Sequence, residues 1–292
     1  MCGLLRQPHC ILLGLLAACS LLLSACGSPK KTASTSSGAV PAANACTPAK
    51  LPLQTKGVLT VATDSPAYPP YFEANKPANG RGFESAVAYA IAGNLGFSRS
   101  QVKWIVEPFD SSYAPGPKSF DFDVNEISIT KPRLQAVDFS APYYTNPQAI
   151  IVPAGSSYAH ATRLSAFKGA RIGVQIGSTS LDSVDSQIKP SPKPQVFNDS
   201  HDVVSAFRIH RVDAVVVDLA TAFQLTATDL PHTTIAGQFS APGGDTWGAL
   251  LTKGSALTPC VDRAVSALRA HGTLAALGKR WIASAANVPV LR

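Results

Sequence analysis

No stretch of this 292-residue chain interleaves a dense lysine and arginine stripe with aromatic side chains, so the formal charge of +7 does not read as a nucleic-acid surface. The densest basic case, Lys189-Pro-Ser-Pro-Lys193-Pro, reads as a solvated loop. His160, His201, His210, His232 and His271 stand apart without H-E-x-x-H or similar spacing, and no Ser/His/Asp or Cys/His set is evident, so no metal site and no cofactor is expected. Gly173-Val-Gln-Ile-Gly177-Ser178 lacks the Gly-Lys of a nucleotide-binding loop. Nothing repeats at about 20 to 50 residues. After residue 25, no segment is apolar over the roughly 18 residues a membrane helix needs.

What is present begins with a leader. Arg6 precedes an apolar run from Ile11 to Leu23, thirteen residues long, which is signal-peptide length. Leu23-Ser24-Ala25-Cys26 has the pattern of a bacterial lipoprotein processing site, so residues 1–25 are expected to be removed and Cys26 to carry lipid. The alternative is an ordinary secretory signal or a short membrane anchor. The expected location is the extracytoplasmic face of the cell membrane, without ready access to ATP, NAD or nucleic acid. Removal of 1–25 leaves 267 residues, enough for one large or two modest domains. Of six cysteines, Cys2, Cys10 and Cys19 leave with the leader and Cys26 takes the lipid. The remaining pair, Cys46 and Cys260, favours a disulfide over a metal site in an oxidising compartment; two unrelated buried thiols are the alternative.

Residues 26–50 are mostly Ser, Thr, Ala, Gly, Pro and Lys, with almost nothing to bury, and read as a tether. A strand is expected over Val58–Thr63 and a helix follows, with Phe83, Val87, Ala90, Ile91 and Leu95 at helical spacing and Gly96 as a stop. Val102–Val106 and Phe122–Ile129 read as extended, separated by a Pro/Gly loop over Tyr113–Lys118. Strands at Ala149–Val152, Arg171–Gln175, Gln195–Phe197 and Ala214–Val217 then alternate with helices from about Ser180, from an N-cap at Ser200 and from about Leu219. A strand Trp247–Leu251 and helices Thr258–His271 and Thr273–Ser284, split at Gly272, end the chain. Such alternation predicts an α/β fold with parallel sheets.

In open α/β sheets ligands bind beyond the carboxyl ends of the strands. Here three apolar strands end on polar residues: Asp64, the run Gln175-Ile-Gly-Ser178-Thr179, and Asp218; a fourth segment runs Glu126-Ile-Ser128-Ile-Thr130-Lys-Pro-Arg133. Together they offer an anion, a cation and several hydroxyl and amide donors, a set that a zwitterion would satisfy. Taken singly each has a plainer role: Asp64 and Asp218 as helix caps, Ser178 as a cap, Arg133 in a surface ion pair.

The order and spacing of these pieces resemble the extracellular solute-binding proteins of polar-amino-acid ABC importers, bacterial family 3. The matching segments are Leu59-Thr-Val-Ala-Thr-Asp64, Tyr68-Pro-Pro-Tyr-Phe72, Gly82-Phe-Glu84, Ile127 to Arg133, Val137 to Tyr144, Leu164 to Gly169, Ile172 to Ser178, Val212 to Asp218, Trp247-Gly248, and Ala264 to Trp281. The resemblance implies a two-lobed periplasmic-binding-protein-like fold (type II), each lobe a mainly parallel sheet flanked by helices, joined by a two-strand hinge near Tyr144–Gln148 and Gly243–Trp247. Lobe 1 would comprise 51–144 and 245–292, lobe 2 145–244. It implies a non-enzymatic, lipid-anchored binder that closes around a polar amino acid and delivers it to an ABC permease. Arg133 would hold the α-carboxylate with backbone amides of Ser128 and Thr179, Asp218 the α-ammonium, and Tyr68 would lie over the side chain. Thr130 and Ser178 join the same set; Asp64, Gln175 and Trp247 would line the specificity end.

Three departures stand out. Glu126 occupies a position that is often glycine, Ser111–Lys118 replaces a helix, and Gln175 replaces a frequent lysine. An extra carboxylate with a missing cation leans toward a neutral polar or cationic ligand rather than Glu or Asp. Two rival readings are a dehydratase of cyclic acids on the same scaffold, with Glu126 as the acid, and a sensory lipoprotein that signals to a partner other than a permease.

Overall fold

The computed structural model of the protein describes residues 45–282 and 287–292. The leader 1–25, the lipidation site Cys26 and residues 26–44 of the expected tether lie outside the described residues. That tether was expected to reach Lys50. Instead Cys46 is buried and bonded to Cys260, their Cα atoms 5.5 Å apart, and the N–H groups of Lys50 and Leu51 both donate to the Thr47 carbonyl.

Strand β1, Leu59–Thr63, is buried at all five positions, as a strand covered on both faces must be. Helix α1, Phe83–Asn94, covers it with Phe83, Val87, Ala88 and Ile91. Strand β2 (Val102–Val106), a short helix α2 (Phe109–Ser112), β3 (Phe122–Asp123), helix α3 (Lys131–Ala136) and β4 (Val137–Phe139) follow. The chain then crosses on β5, Tyr144–Thr145, into a second sheet that opens with β6, Gln148–Pro153. That sheet continues through β7 (Ile172–Gln175), α4 (Thr179–Ser183, running on as a π turn over Val184–Ile188), β8 (Gln195–Phe197), α5 (Ser200–Arg208), β9 (Ala214–Asp218), α6 (Leu219–Gln224) and β10 (Thr233–Phe239). The return is β11, Thr246–Trp247; β12, Leu250–Thr252, rejoins the first sheet, and α7 (Thr258–Ala270) and α8 (Thr273–Trp281) pack on α1.

The strand orders are β2-β1-β3-β12-β4 and β10-β6-β9-β7-β8, with β5 and β11 forming an antiparallel pair between them. This is the two-lobed α/β architecture with a two-strand hinge. Each sheet holds two parallel and two antiparallel pairings, and in each the reversed strand is the one that has just crossed: β6 after β5, β12 after β11. The parallel strands point their carboxyl ends at the cleft. A strand that enters from the cleft therefore runs the other way.

Several elements depart from expectation. Only Phe122–Asp123 of the extended run to Ile129 joins a ladder, because Glu126 takes a left-handed φ of 54°. The strand expected at Trp247–Leu251 breaks at Gly248, which lies against Ile129 and the Ser140 carbonyl, so its two ends serve different sheets. Asp199, not Ser200, caps α5 through a bond from the Asp202 N–H. The last residues, assigned by sequence to lobe 1, lie on the second sheet: Leu291 N–H donates to the Gln238 carbonyl, Gln238 N–H to Pro289, and the Leu291 side chain is buried with Phe239 and Ile150. Gly237 makes room for it, since a Cβ there would come within 2.5 Å of Leu291.

Candidate functional site

The carboxyl ends of β1 and β3 on one side and of β7 and β9 on the other converge on one cavity. Asp64, Tyr68, Glu126, Ser128, Arg133, Gln175, Ser178, Thr179 and Asp218, nine of the eleven ligand-site residues expected from sequence, line it. The lobes touch across it: Tyr71 Oη lies 2.9 Å from Thr221 Oγ1, and Ser128 Oγ lies 3.3 Å from Thr179 Oγ1.

Arg133 sits at the start of α3, whose N-cap Thr130 accepts the Arg133 N–H at 3.4 Å. Its side chain is buried, makes no surface ion pair, and donates from Nη1 to Ser128 O at 2.8 Å and from Nη2 to Gly177 O at 3.0 Å. Both bonds go to carbonyls, so among the described residues no carboxylate pairs with the charge. A guanidinium held this way keeps its planar fork for a two-oxygen anion.

Asp218 occupies the N-cap position of α6 but does not cap it. Instead its Oδ1 accepts from Gln148 Nε2 at 2.6 Å, and Gln148 Oε1 in turn accepts from Ser180 Oγ at 2.5 Å. Burial pushes the Asp218 carboxyl up to about 8 against the opposing Gln148 hydrogen bond. A buried acid in that condition is completed by a cation. Glu126 is the third charged group. Its N–H donates to Glu84 Oε1 at 2.7 Å, Thr221 Oγ1 donates to its Oε2 at 3.4 Å, and Glu84 also receives the Tyr143 hydroxyl. Burial raises both Glu84 and Glu126, and Glu84 and Asp218 raise Glu126 further by repulsion.

Asp64, Glu126, Asp199, Asp218 and Asp229 line the cavity, against Arg133, Arg208 and His201; no lysine lines it among the described residues. Arg208 is already engaged by Asp229, through its carbonyl at 2.8 Å and its carboxylate at 3.5 Å, so that pair cancels and Asp64, Glu126, Asp199 and Asp218 remain. The cavity is thus acidic away from Arg133. Gln175 accepts from Ser200 Oγ at 2.9 Å, and Ser178 Oγ caps α4 by accepting the Leu181 N–H at 3.1 Å. Ser178 therefore fills the plainer of its two roles while still lining the cavity.

Two expected residues are not in the lining. Trp247 is fully buried behind it, with ring centroids 5.3 Å from Tyr144 and 5.4 Å from Tyr71. Thr130 reaches the site only as the cap beneath Arg133. Sequence reasoning missed Phe109, Tyr71, Asn125, Thr221 and the orienting Gln148. Phe109 had a signal, since it stands just past the end of β2 on the cleft side; Gln148 had none, because its partner is 70 residues away.

The profile of the bacterial extracellular solute-binding proteins, family 3, matches residues 59–284. The chain belongs to that family. The L-cystine-binding protein TcyJ of Escherichia coli K12 is 26% identical over 232 residues, 77% of this chain and 83% of that protein. The L-arginine-binding protein of Pseudomonas aeruginosa is 27% identical over 76% of this chain and 90% of its own length. Among solved structures, an ancestral arginine-binding protein bound to glutamine superposes with a TM-score of 0.65 at 30% identity, covering 78% of this chain and 98% of that one. These relatives are named for the amino acids they bind, and a further one, 24% identical, is the ABC transporter glutamine-binding protein GlnH of Bacillus subtilis.

Proposed function

We propose that this protein captures a polar amino acid outside the cytoplasm and hands it to an ABC permease, held at the membrane by lipid on Cys26. One observation carries the reading: Arg133 from the first lobe, buried, and Asp218 from the second, half-buried, line a single cavity. The guanidinium takes the α-carboxylate, with Ser128 and Thr179 beside it. Asp218, oriented by Gln148, takes the α-ammonium. Tyr68 and Phe109 line the path of the side chain toward Asp64 and Gln175. Lobe closure brings the halves together, and the closed form is the signal to the permease. The lobes are divided near residues 144 and 245, with the final six residues belonging to lobe 2.

The acidic surroundings of the outer cavity favour a cationic or neutral polar side chain over Glu or Asp. Relatives named for arginine, histidine, cystine and glutamine agree with that lean. A thermal-shift screen of the twenty amino acids tests it: a basic or amide amino acid should give the largest rise in Tm, because only the closed native form holds ligand. A largest rise from glutamate or aspartate would overturn the assignment. Cys26→Ser should release a protein that still binds from the membrane fraction; retained anchoring would refute lipidation.

The rival dehydratase reading has one observation in its favour, the buried Glu126 carboxyl held well above its ordinary range within the cavity. Incubation with cyclic acids decides between them, and no turnover is expected. Uptake assays in cells lacking the gene separate a transporter component, whose loss abolishes uptake, from a sensory lipoprotein, whose loss does not.

A further inference from the structure

The Pro/Gly loop over Ser111–Lys118 carries one side chain across the cleft. Lys118 Nζ ties the loop into a fixed shape by donating to Ser111 O at 2.9 Å and Ala114 O at 2.6 Å. Tyr113, at the end of α2, is thereby held with its ring 4.5 Å from the Arg133 guanidinium carbon and edge-on to Phe109, centroids 5.5 Å apart. Its hydroxyl donates to the Gly177 carbonyl at 3.3 Å, the same oxygen that accepts Arg133 Nη2. Gly177 belongs to the second lobe, in the turn between β7 and α4. It has a φ of 67°, and a Cβ there would lie 2.1 Å from the Tyr113 hydroxyl. A bare backbone at 177 is thus what lets the phenol approach.

Tyr113 does not line the cavity; it stands on the other side of Arg133. We propose that Tyr113 is an interlobe latch: its hydroxyl fastens the first lobe to Gly177 of the second, and its ring shields Arg133 from water, so that it sets how long the closed form, and any ligand within, persists. The latch is a positioning residue and rests on the reading of the cleft as an amino acid site. The latch contact forms only after the lobes meet, so it acts on release rather than on capture.

The test uses the full chain with Tyr113→Phe, Tyr113→Ala and Gly177→Ala. Stopped-flow fluorescence with L-arginine and L-glutamine as probes gives association and dissociation rates, and hydrogen exchange of the ligand-free protein reports residues 109–118 and 176–181. Tyr113→Phe removes one bond between uncharged groups and should speed dissociation about two- to tenfold with association unchanged. Tyr113→Ala also removes the ring over the guanidinium and should exceed tenfold. Gly177→Ala also strains a left-handed backbone, a cost present in either background, so its effect on dissociation should be smaller in the Tyr113→Ala background, where no hydroxyl meets the new Cβ. All three should raise exchange in the two segments without ligand. Dissociation within twofold of the native chain in both Tyr113 variants, or exchange unchanged, overturns the latch. Should neither probe bind the native chain, arginine and glutamine are excluded as ligands while hydrogen exchange still decides the latch.

Discussion

Glu126 holds a left-handed φ of 54°, a conformation glycine adopts without strain, and replacing it with glycine isolates the consequence. A non-glycine residue in that region costs on the order of 1 to 3 kcal/mol. Glycine loses about 0.4 to 1 kcal/mol through the freedom it adds to the unfolded chain. The N–H bond to Glu84 survives the change, Thr221 keeps Tyr71 as partner, and the deleted side chain faces the cavity rather than the packed core. Removing a carboxyl repelled by Glu84 and Asp218 acts in the same direction. The sum is a gain of about 1 to 2 kcal/mol for the ligand-free protein, a Tm rise of roughly 2 to 8 °C for a domain this size. Glu126→Ala is the control, since alanine removes the same carboxyl but keeps the strained backbone. Differential scanning calorimetry should rank Glu126→Gly above Glu126→Ala by about 1 kcal/mol. Equal stabilities, or alanine the higher, would refute the strain argument.

Three other predictions follow from buried groups. Reducing the Cys46–Cys260 bridge, which spans 214 residues, should lower Tm, with an upper bound of about 5 kcal/mol from loop closure; an unchanged melting curve in reductant would refute a stabilising role. Asp218 favours its protonated form when folded, so its contribution is full below its ordinary 3.8 and is lost as pH rises through about 8. Ligand-free Tm should therefore fall from pH 5 to 8 while the ligand-induced rise grows, because an ammonium partner draws the proton off; a ligand shift independent of pH would contradict this. Leu291→Ala should destabilise the second lobe by about 2 kcal/mol, visible as faster hydrogen exchange in β10, and unchanged exchange there would show the tail to be unimportant.

The strand ends were legible because β1, β7 and β9 are unbroken apolar runs that stop abruptly on polar residues, and a strand buried on both faces must look so. Asp218 was legible for the same reason, whereas Arg133, inside α3, was legible through the resemblance of Ile127 to Arg133 to the family. Trp247 was not: it stands on a two-residue strand where a shift of one position exchanges the two faces, and it turned inward. Strand β10 escaped notice because a register shift between Ile235 and Gly237 breaks its alternation. The docking of residues 288–292 on lobe 2 depends on Gly237, some 50 residues earlier in the chain, a pairing that local pattern does not carry. Glu126 showed itself as a departure in sequence, but only the backbone reveals why glycine suits the place.

Calorimetric titration with the amino acid that emerges from the thermal-shift screen, beside its α-methyl ester and its decarboxylated amine, tests the Arg133 side of the grip most directly. Either analogue withdraws the carboxylate and leaves the buried Arg133 charge unmatched, at several kcal/mol. The account predicts at least about a hundredfold loss of affinity for either analogue, with Arg133→Ala erasing the discrimination against the ester and the amine. Binding of the ester or the amine within tenfold of the parent amino acid would contradict it.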